Sequence, residues 1–271
     1  MRAINLLYVH SQSIGYGRLG VNLAREIENM GITVYDGLEA PDAGFDEGFR
    51  HYGKANVACW VSVPTHARGW YESQYPVMFT MWEAQKLPPS FRETLHEFPL
   101  VIVPSHQNVE LFSQYHDNVK MIPLGIDPET WTYKLRQEPQ TFFNFMVAGS
   151  GPRKGNDLVH KAFRKLWGKE GSWPKEAPIP KLIIKTPRGE DFYGERIEIV
   201  SGRLPAYQEV ALYESAHCYV QPSRGEGFGL QPLQAMAQGC PTILTAAHGH
   251  DSFCHLGYGI SARPGPAAYF I

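Results

Sequence analysis

The sequence predicts an α/β protein built from two parallel-sheet units. Short apolar runs alternate with amphipathic helical stretches through both halves of the chain. Three times, a buried-type strand passes through a glycine-rich turn into a helix, as in doubly wound sheets. At 271 residues the chain can bury one large core or two of about 130 residues each.

The first half opens with Ile4–Val9 as a strand. The glycine-rich stretch Ser13-Ile14-Gly15-Tyr16-Gly17-Arg18-Leu19-Gly20 reads as a loop, and Val21, Leu23, Ala24 and Ile27 mark a helix ending near Gly31. Ile32–Tyr35, Val57–Val61, Val77–Thr80 and Leu100–Val103 read as further strands, and Met121–Asp127 as a strand that exits into a turn. Helices are expected from Leu87-Pro88-Pro89 and after Pro104-Ser105. Thr130–Thr141, polar and bounded by prolines, reads as the linker, dividing the chain into domains 1–135 and 136–271. The second half gives strands at Phe142–Val147, Leu182–Lys185, Ile197–Val200 and Cys218–Val220. Helices are expected at Asp157–Leu166, Pro205–Ala216 and from Leu230 through Ala237.

Composition narrows the function classes. A net charge of −2 gives no general argument for nucleic acid or an anionic membrane. Cys59, Cys218, Cys240 and Cys254 are scattered without zinc spacing, which fits a reducing cytoplasm. The N-terminus lacks the pattern of a signal peptide, and no stretch approaches the roughly 20 apolar residues of a membrane span. A cytoplasmic protein without an integral membrane segment is expected. His248-Gly249-His250-Asp251 suggests metal, but an HxH pair on a loop without further ligands reads better as a loop.

The most informative segment is Pro222–Pro241. The strand Cys218–Val220 passes through Glu226-Gly227-Phe228-Gly229 into the helix beginning at Leu230. Unpaired N–H groups and the positive dipole end of such a helix make an anion site. Gly227 and Gly229 admit a ligand to the backbone, and Glu226 adds a hydroxyl acceptor. Together they suit a sugar joined to a diphosphate.

Pro222-Ser223, Glu226-Gly227-Phe228-Gly229-Leu230 and Ala235-Met236-Ala237-Gln238-Gly239-Cys240-Pro241 resemble the nucleotide-sugar motif of glycosyltransferase family 4. That family is retaining and has the GT-B fold, two Rossmann-like domains whose parallel sheets face a central cleft. The resemblance runs from about residue 1 to about residue 250, and includes the Val103-Pro104-Ser105 step and the Pro123-Leu124-Gly125-Ile126-Asp127 exit. It departs at Gln234, where the family has a second glutamate that holds the ribose; glutamine loses charge assistance there. The family continues well past the equivalent of Pro241, so with about thirty residues after it this chain is expected to be a short form or a truncated one.

The resemblance implies site residues. Gly149-Ser150-Gly151-Pro152-Arg153-Lys154-Gly155 is similar to the family's diphosphate clamp, with Gly149 where a second arginine is usual. Arg153 and Lys154 would stabilise the departing diphosphate, and no metal is expected. Glu226 would hold sugar hydroxyls, with Gly227, Phe228, Gly229 and Leu230 against sugar or phosphate. Arg203 and Leu204 would lie near the base and ribose, with Gln234 on the ribose. Gly15 and Gly17 would approach the donor, and Glu83, at a strand end beside Trp82, would orient acceptor or donor sugar. The implied activity is retaining transfer of a hexosyl or related sugar, with a nucleotide sugar as donor substrate and no cofactor. The acceptor, whether glycan, lipid, protein or modified base, is not named by the sequence. A non-catalytic nucleotide- or glycan-binding module of the same fold is the alternative. A sugar-nucleotide epimerase lacks a convincing set of acids and bases.

Overall fold

A computed structural model of the chain describes residues 2–9, 15–38, 55–66, 75–169, 172–187, 192–256 and 260–262. The chain divides into two compact units, Met1–Pro123 and Leu124–Ile271.

The first unit is a six-stranded parallel sheet. Its strands are β1 (Ala3–Val9), β2 (Thr33–Leu38), β3 (Val57–Val61), β4 (Tyr75–Phe79), β5 (Leu100–Val103) and β6 (Val119–Met121), in the order β2-β1-β3-β4-β5-β6. Its helices are α1 (Gly15–Asn29), α2 (Pro89–Leu95) and α3 (His106–Phe112). Pro89 supplies a fixed φ where α2 needs no N–H, and Ser105 caps α3 by accepting from Asn108 N. Trp60, Met78, Leu95, Phe98, Val101 and Phe112 form the core on one sheet face.

Two expectations are corrected here. The glycine stretch is no loop from Gly15 onward. Gly15, Gly17 and Gly20 all lie in α1, Gly17 and Gly20 buried. A Cβ on Gly20 would stand 2.1 Å from Tyr8 Cγ, so this glycine lets the helix lie against β1. The strand expected over Met121–Asp127 also stops at Met121, because Pro123 has no N–H to continue a ladder.

The second unit is likewise a parallel sheet, of β7 (Phe142–Ala148), β8 (Ile179–Thr186), β9 (Ile197–Ser201), β10 (Cys218–Gln221), β11 (Thr242–Thr245) and β12 (Ile260–Ala262). The order is β12-β11-β10-β7-β8-β9. The chain winds outward from β7 in one direction and from β10 in the other, so the topological switch lies between these neighbours. The helices are α4 (Asn156–Trp167), α5 (Ala206–Glu214) and α6 (Leu230–Ala237). Met146, Ile183, Tyr213, Tyr219 and Ala235 pack on one sheet face, and Val147, Val159, Phe163, Leu182 and Ile184 on the other. Burial pushes the thiol of Cys218 up to about 12 and that of Cys240 up to about 11.

The stretch read as a linker is packed onto this second unit. Trp131 is buried edge-on against Tyr213, ring centroids 5.2 Å apart. Arg136 donates to the carbonyls of Tyr213 (3.2 Å), Glu214 and Ala216 (2.9 Å) at the end of α5, and to that of Gln238 (3.1 Å) at the end of α6. One guanidinium thereby caps two helix C-termini.

The packing at Gly20 yields a test. Gly20→Ala should cost about 2 kcal/mol by forcing α1 off Tyr8; denaturant unfolding that leaves the midpoint unchanged would refute the close approach.

Candidate functional site

Parallel strands place all their carboxyl ends on one edge, and the loops after β7 and β10 meet there at the switch point. A Cβ on Gly155 would stand 2.4 Å from Pro222 O, so the two loops are in backbone contact. Gln221 Nε2 donates to Lys154 O (2.9 Å), and Arg224 N donates to Arg153 O (2.8 Å). Arg224 also grips Asp157 with both terminal nitrogens, at 2.8 and 2.9 Å. That pair holds the Asp157 carboxyl below its usual range, chiefly through the hydrogen bonds from Arg224.

Three sequence-predicted residues converge in this frame. Lys154 Nζ lies 2.8 and 3.0 Å from the two carboxylate oxygens of Glu226. Arg153 Nη1 donates to Glu226 Oε2 at 3.2 Å and to Gly225 O at 2.7 Å. Ser223 Oγ donates to Glu226 Oε1 at 2.6 Å. Glu226 is only 4% exposed. Burial alone would raise its pKa, but Lys154 and then Arg153 outweigh it and hold the carboxyl at about 2.

This arrangement corrects one expectation. The Glu226 carboxylate was expected to face ligand, whereas it is buried and engaged by Lys154, Arg153 and Ser223. The outward groups are the cations, with side chains 32% exposed for Arg153 and 17% for Lys154. In this geometry Glu226 fixes the direction of two positive charges.

Gly227 and Phe228 are buried, and half-exposed Gly229 and Leu230 lead into α6. Gln234 is buried one turn further along the helix. Arg203 is exposed and Leu204 half-buried beyond the end of β9, two strands from β7, or roughly 10 Å at normal strand spacing. Gly149, at φ 123°, has no room for the family's arginine: a Cβ there would stand 2.6 Å from Lys154 Cγ. His250 is turned inward, its Nδ1 3.2 Å from Thr245 O. Among the described residues, no group of three or more His, Cys, Asp or Glu is placed to hold a metal ion.

Glu83, Gly15 and Gly17 belong to the first unit. Glu83 is partly exposed just beyond the end of β4. Asn108, fully buried on α3, clamps the neighbouring residue by accepting from Trp82 N (2.6 Å) and donating to Trp82 O (3.0 Å). Tyr16 OH accepts from Met81 N and donates to Met81 O, each at 2.9 Å, which ties the start of α1 to the same strand end. Burial pushes the Tyr16 phenol up to about 12. Sequence reasoning assigned no role to Tyr16, Asn108, Arg224 or Asp157. Their partners stand 26 to 67 positions away, beyond any local pattern.

Residues 196–266, which contain β9 through β12, the Glu226 loop and α6, match the family model described as "Glycosyl transferases group 1". A "Putative glycosyltransferase 45" of Sulfolobus islandicus filamentous virus (isolate Iceland/Hveragerdi) is 20% identical over 243 residues, or 85% of this chain. The chain spans 65% of that relative's length. A crystal structure of a glycosyltransferase involved in avilamycin A biosynthesis matches with a TM-score of 0.70 at 15% identity, over 98% of this chain and 85% of that one. Sucrose-phosphate synthase from Thermosynechococcus elongatus gives 0.69 at 16% identity, over 98% and 87%. The chain has the GT-B fold of two Rossmann-like α/β domains, and its residues 196–266 carry the sequence pattern of group 1 glycosyltransferases.

The ion cluster yields a pH dependence. A carboxyl held at about 2 instead of 4.5 stabilises the fold above pH 4.5, and that contribution fades as pH falls toward 2. The loss should be on the order of 3 kcal/mol. Acid unfolding of the wild type should show it, and Glu226→Gln should flatten the slope in that window. An unchanged slope would remove the cluster as its source.

Proposed function

We propose that the chain is a glycosyltransferase that moves a hexosyl or related sugar from a nucleotide-sugar donor to an acceptor, with retention and without a metal. The observation that carries this reading is the Lys154–Arg153–Glu226 cluster beside the start of α6, at the switch point of a GT-B sheet. Negative charge builds on the diphosphate as the glycosidic bond breaks. Two fixed cations and the first-turn N–H groups of α6 are the groups that would stabilise it. Because Glu226 holds the cations in place before the donor arrives, little reorganisation accompanies the reaction.

In this reading Gly227, Phe228, Gly229 and Leu230 line the phosphate and sugar end. Gln234, Arg203 and Leu204 contact the nucleoside. In the first unit, Glu83, with Gly15 and Gly17, serves acceptor or donor sugar. Retention would proceed by front-face transfer, the leaving phosphate taking the acceptor's proton as the new glycosidic bond forms. The proposed setting is the cytoplasm; among the described residues no helix is long and apolar enough to cross a membrane.

A second reading, binding without transfer, is favoured by two features. Gln234 stands in place of a glutamate, and the Glu226 carboxylate is already engaged. Incubation with a panel of nucleotide sugars and acceptors, read by mass spectrometry, separates the two. Sugar transfer that persists in excess EDTA supports the enzyme. Nucleotide binding with no turnover across the panel supports the module.

Two substitutions sharpen the test. Arg153→Ala should weaken nucleoside diphosphate binding by roughly 1–3 kcal/mol, the usual cost of a lost charge-assisted contact. Calorimetric titration showing equal affinity would take Arg153 out of the site. Gln234→Glu should tighten nucleotide binding through an ionised ribose acceptor, and equal or weaker binding would place Gln234 elsewhere.

A further inference from the structure

His250 is a buried titratable group of the second unit to which the proposed reaction gives no task. It is completely buried in the turn after β11, and its Nε2 has no hydrogen-bond partner. Its Nδ1 faces Thr245 O at 3.2 Å. A carbonyl can only accept, so Nδ1 carries the proton of the neutral ring and Nε2 presents a bare lone pair.

That lone pair lies at the entry to α6. Gly229, the residue before the helix, has φ 103°, and a Cβ built on it would stand 2.7 Å from His250 Nε2 and 2.5 Å from His250 Cδ2. The imidazole therefore occupies the space that a side chain at 229 would fill. The same turn is seated on the loop before α6: Gly249 N donates to Glu226 O at 2.9 Å, and a Cβ on Gly249 would stand 2.4 Å from Phe228 N. A buried polar atom without a partner is rare and costly, and calls for a reason.

Resting on the donor-site reading above, we propose that His250 is a positioning residue that takes up a proton at Nε2 when a diphosphate binds at the first turn of α6. The proton comes from solvent and returns there when the nucleotide leaves. The imidazolium then adds a third positive charge behind the Gly227–Gly229 backbone, acting through that loop without touching the reacting atoms.

The electrostatic setting is consistent with this. Burial lowers the His250 pKa and keeps the ring neutral without ligand. Glu226 from the loop before α6 opposes that shift, whereas Lys154 from the turn after β7 and His248 on its own turn reinforce it. An anion at α6 would offset the repulsion from Lys154 and His248.

The test is calorimetric titration of the full chain with UDP, GDP and ADP at pH 7.5, in HEPES and in Tris. Wild type should take up about half a proton or more per bound nucleotide, seen as a binding enthalpy that differs between the buffers. Binding should strengthen as the pH is lowered from 7.5, toward a limit of about tenfold for each unit that the His250 pKa rises on binding. In His250→Gln the buffer dependence should vanish, while in His248→Gln it should persist. Identical enthalpies in the two buffers for wild type would overturn the proposal even if the glutamine variant failed to fold. Uptake that survives in folded His250→Gln would also overturn it. Binding without proton uptake leaves the donor site standing and removes His250, whereas no binding of any nucleotide sinks both.

Discussion

The second unit is organised around one buried carboxylate. Desolvation would keep Glu226 neutral, and the opposite outcome requires two cations within hydrogen-bond reach. Those cations come from the turn after β7, while Glu226 comes from the loop after β10. The pair therefore fastens the two loops that a parallel sheet must leave at its switch point. Arg224, Asp157 and Gln221 are arranged around this fastening, and Gly155 is small because the loops touch there. The two cations stay partly open to solvent, with side chains 32% exposed at Arg153 and 17% at Lys154.

Much of this was legible in the sequence, and for physical reasons. Apolar runs flanked by glycine and proline located β3 and β5 at their observed bounds, because parallel strands buried on both faces are short and uniformly apolar. The α6 turn was legible because a strand, two glycines and a helix start sit within one contiguous stretch. The Gly15–Gly20 stretch misled because glycine marks both loops and close packing, and at Gly20 the ring of Tyr8 on β1 requires the latter. Thr130–Thr141 misled because its polarity hides the anchors Trp131 and Arg136, whose partners lie 77 to 102 residues further on.

The orientation of Glu226 was the least legible feature. Its loop position suggested exposure, but the depth of a carboxylate depends on where Lys154, 72 residues earlier, comes to rest. The same holds for Gly149. Its identity reads as a lost arginine in the sequence, whereas in the fold the Lys154 stem passes where that side chain would begin. Charge at such a site can be supplied from either position, but the space admits only one of them.

The Arg136 contacts carry a mechanical consequence. α6 is about 12 Å long at 1.5 Å per residue, and its rear end is clamped by a guanidinium that also holds the end of α5. The helix is thus a strut braced at the back, with its other end at the glycine turn that follows Glu226. A strut so braced cannot recoil along its axis when a charged group presses on its tip. The strap that carries Arg136 therefore serves as a buttress for a site whose residues begin more than ten positions later in the chain.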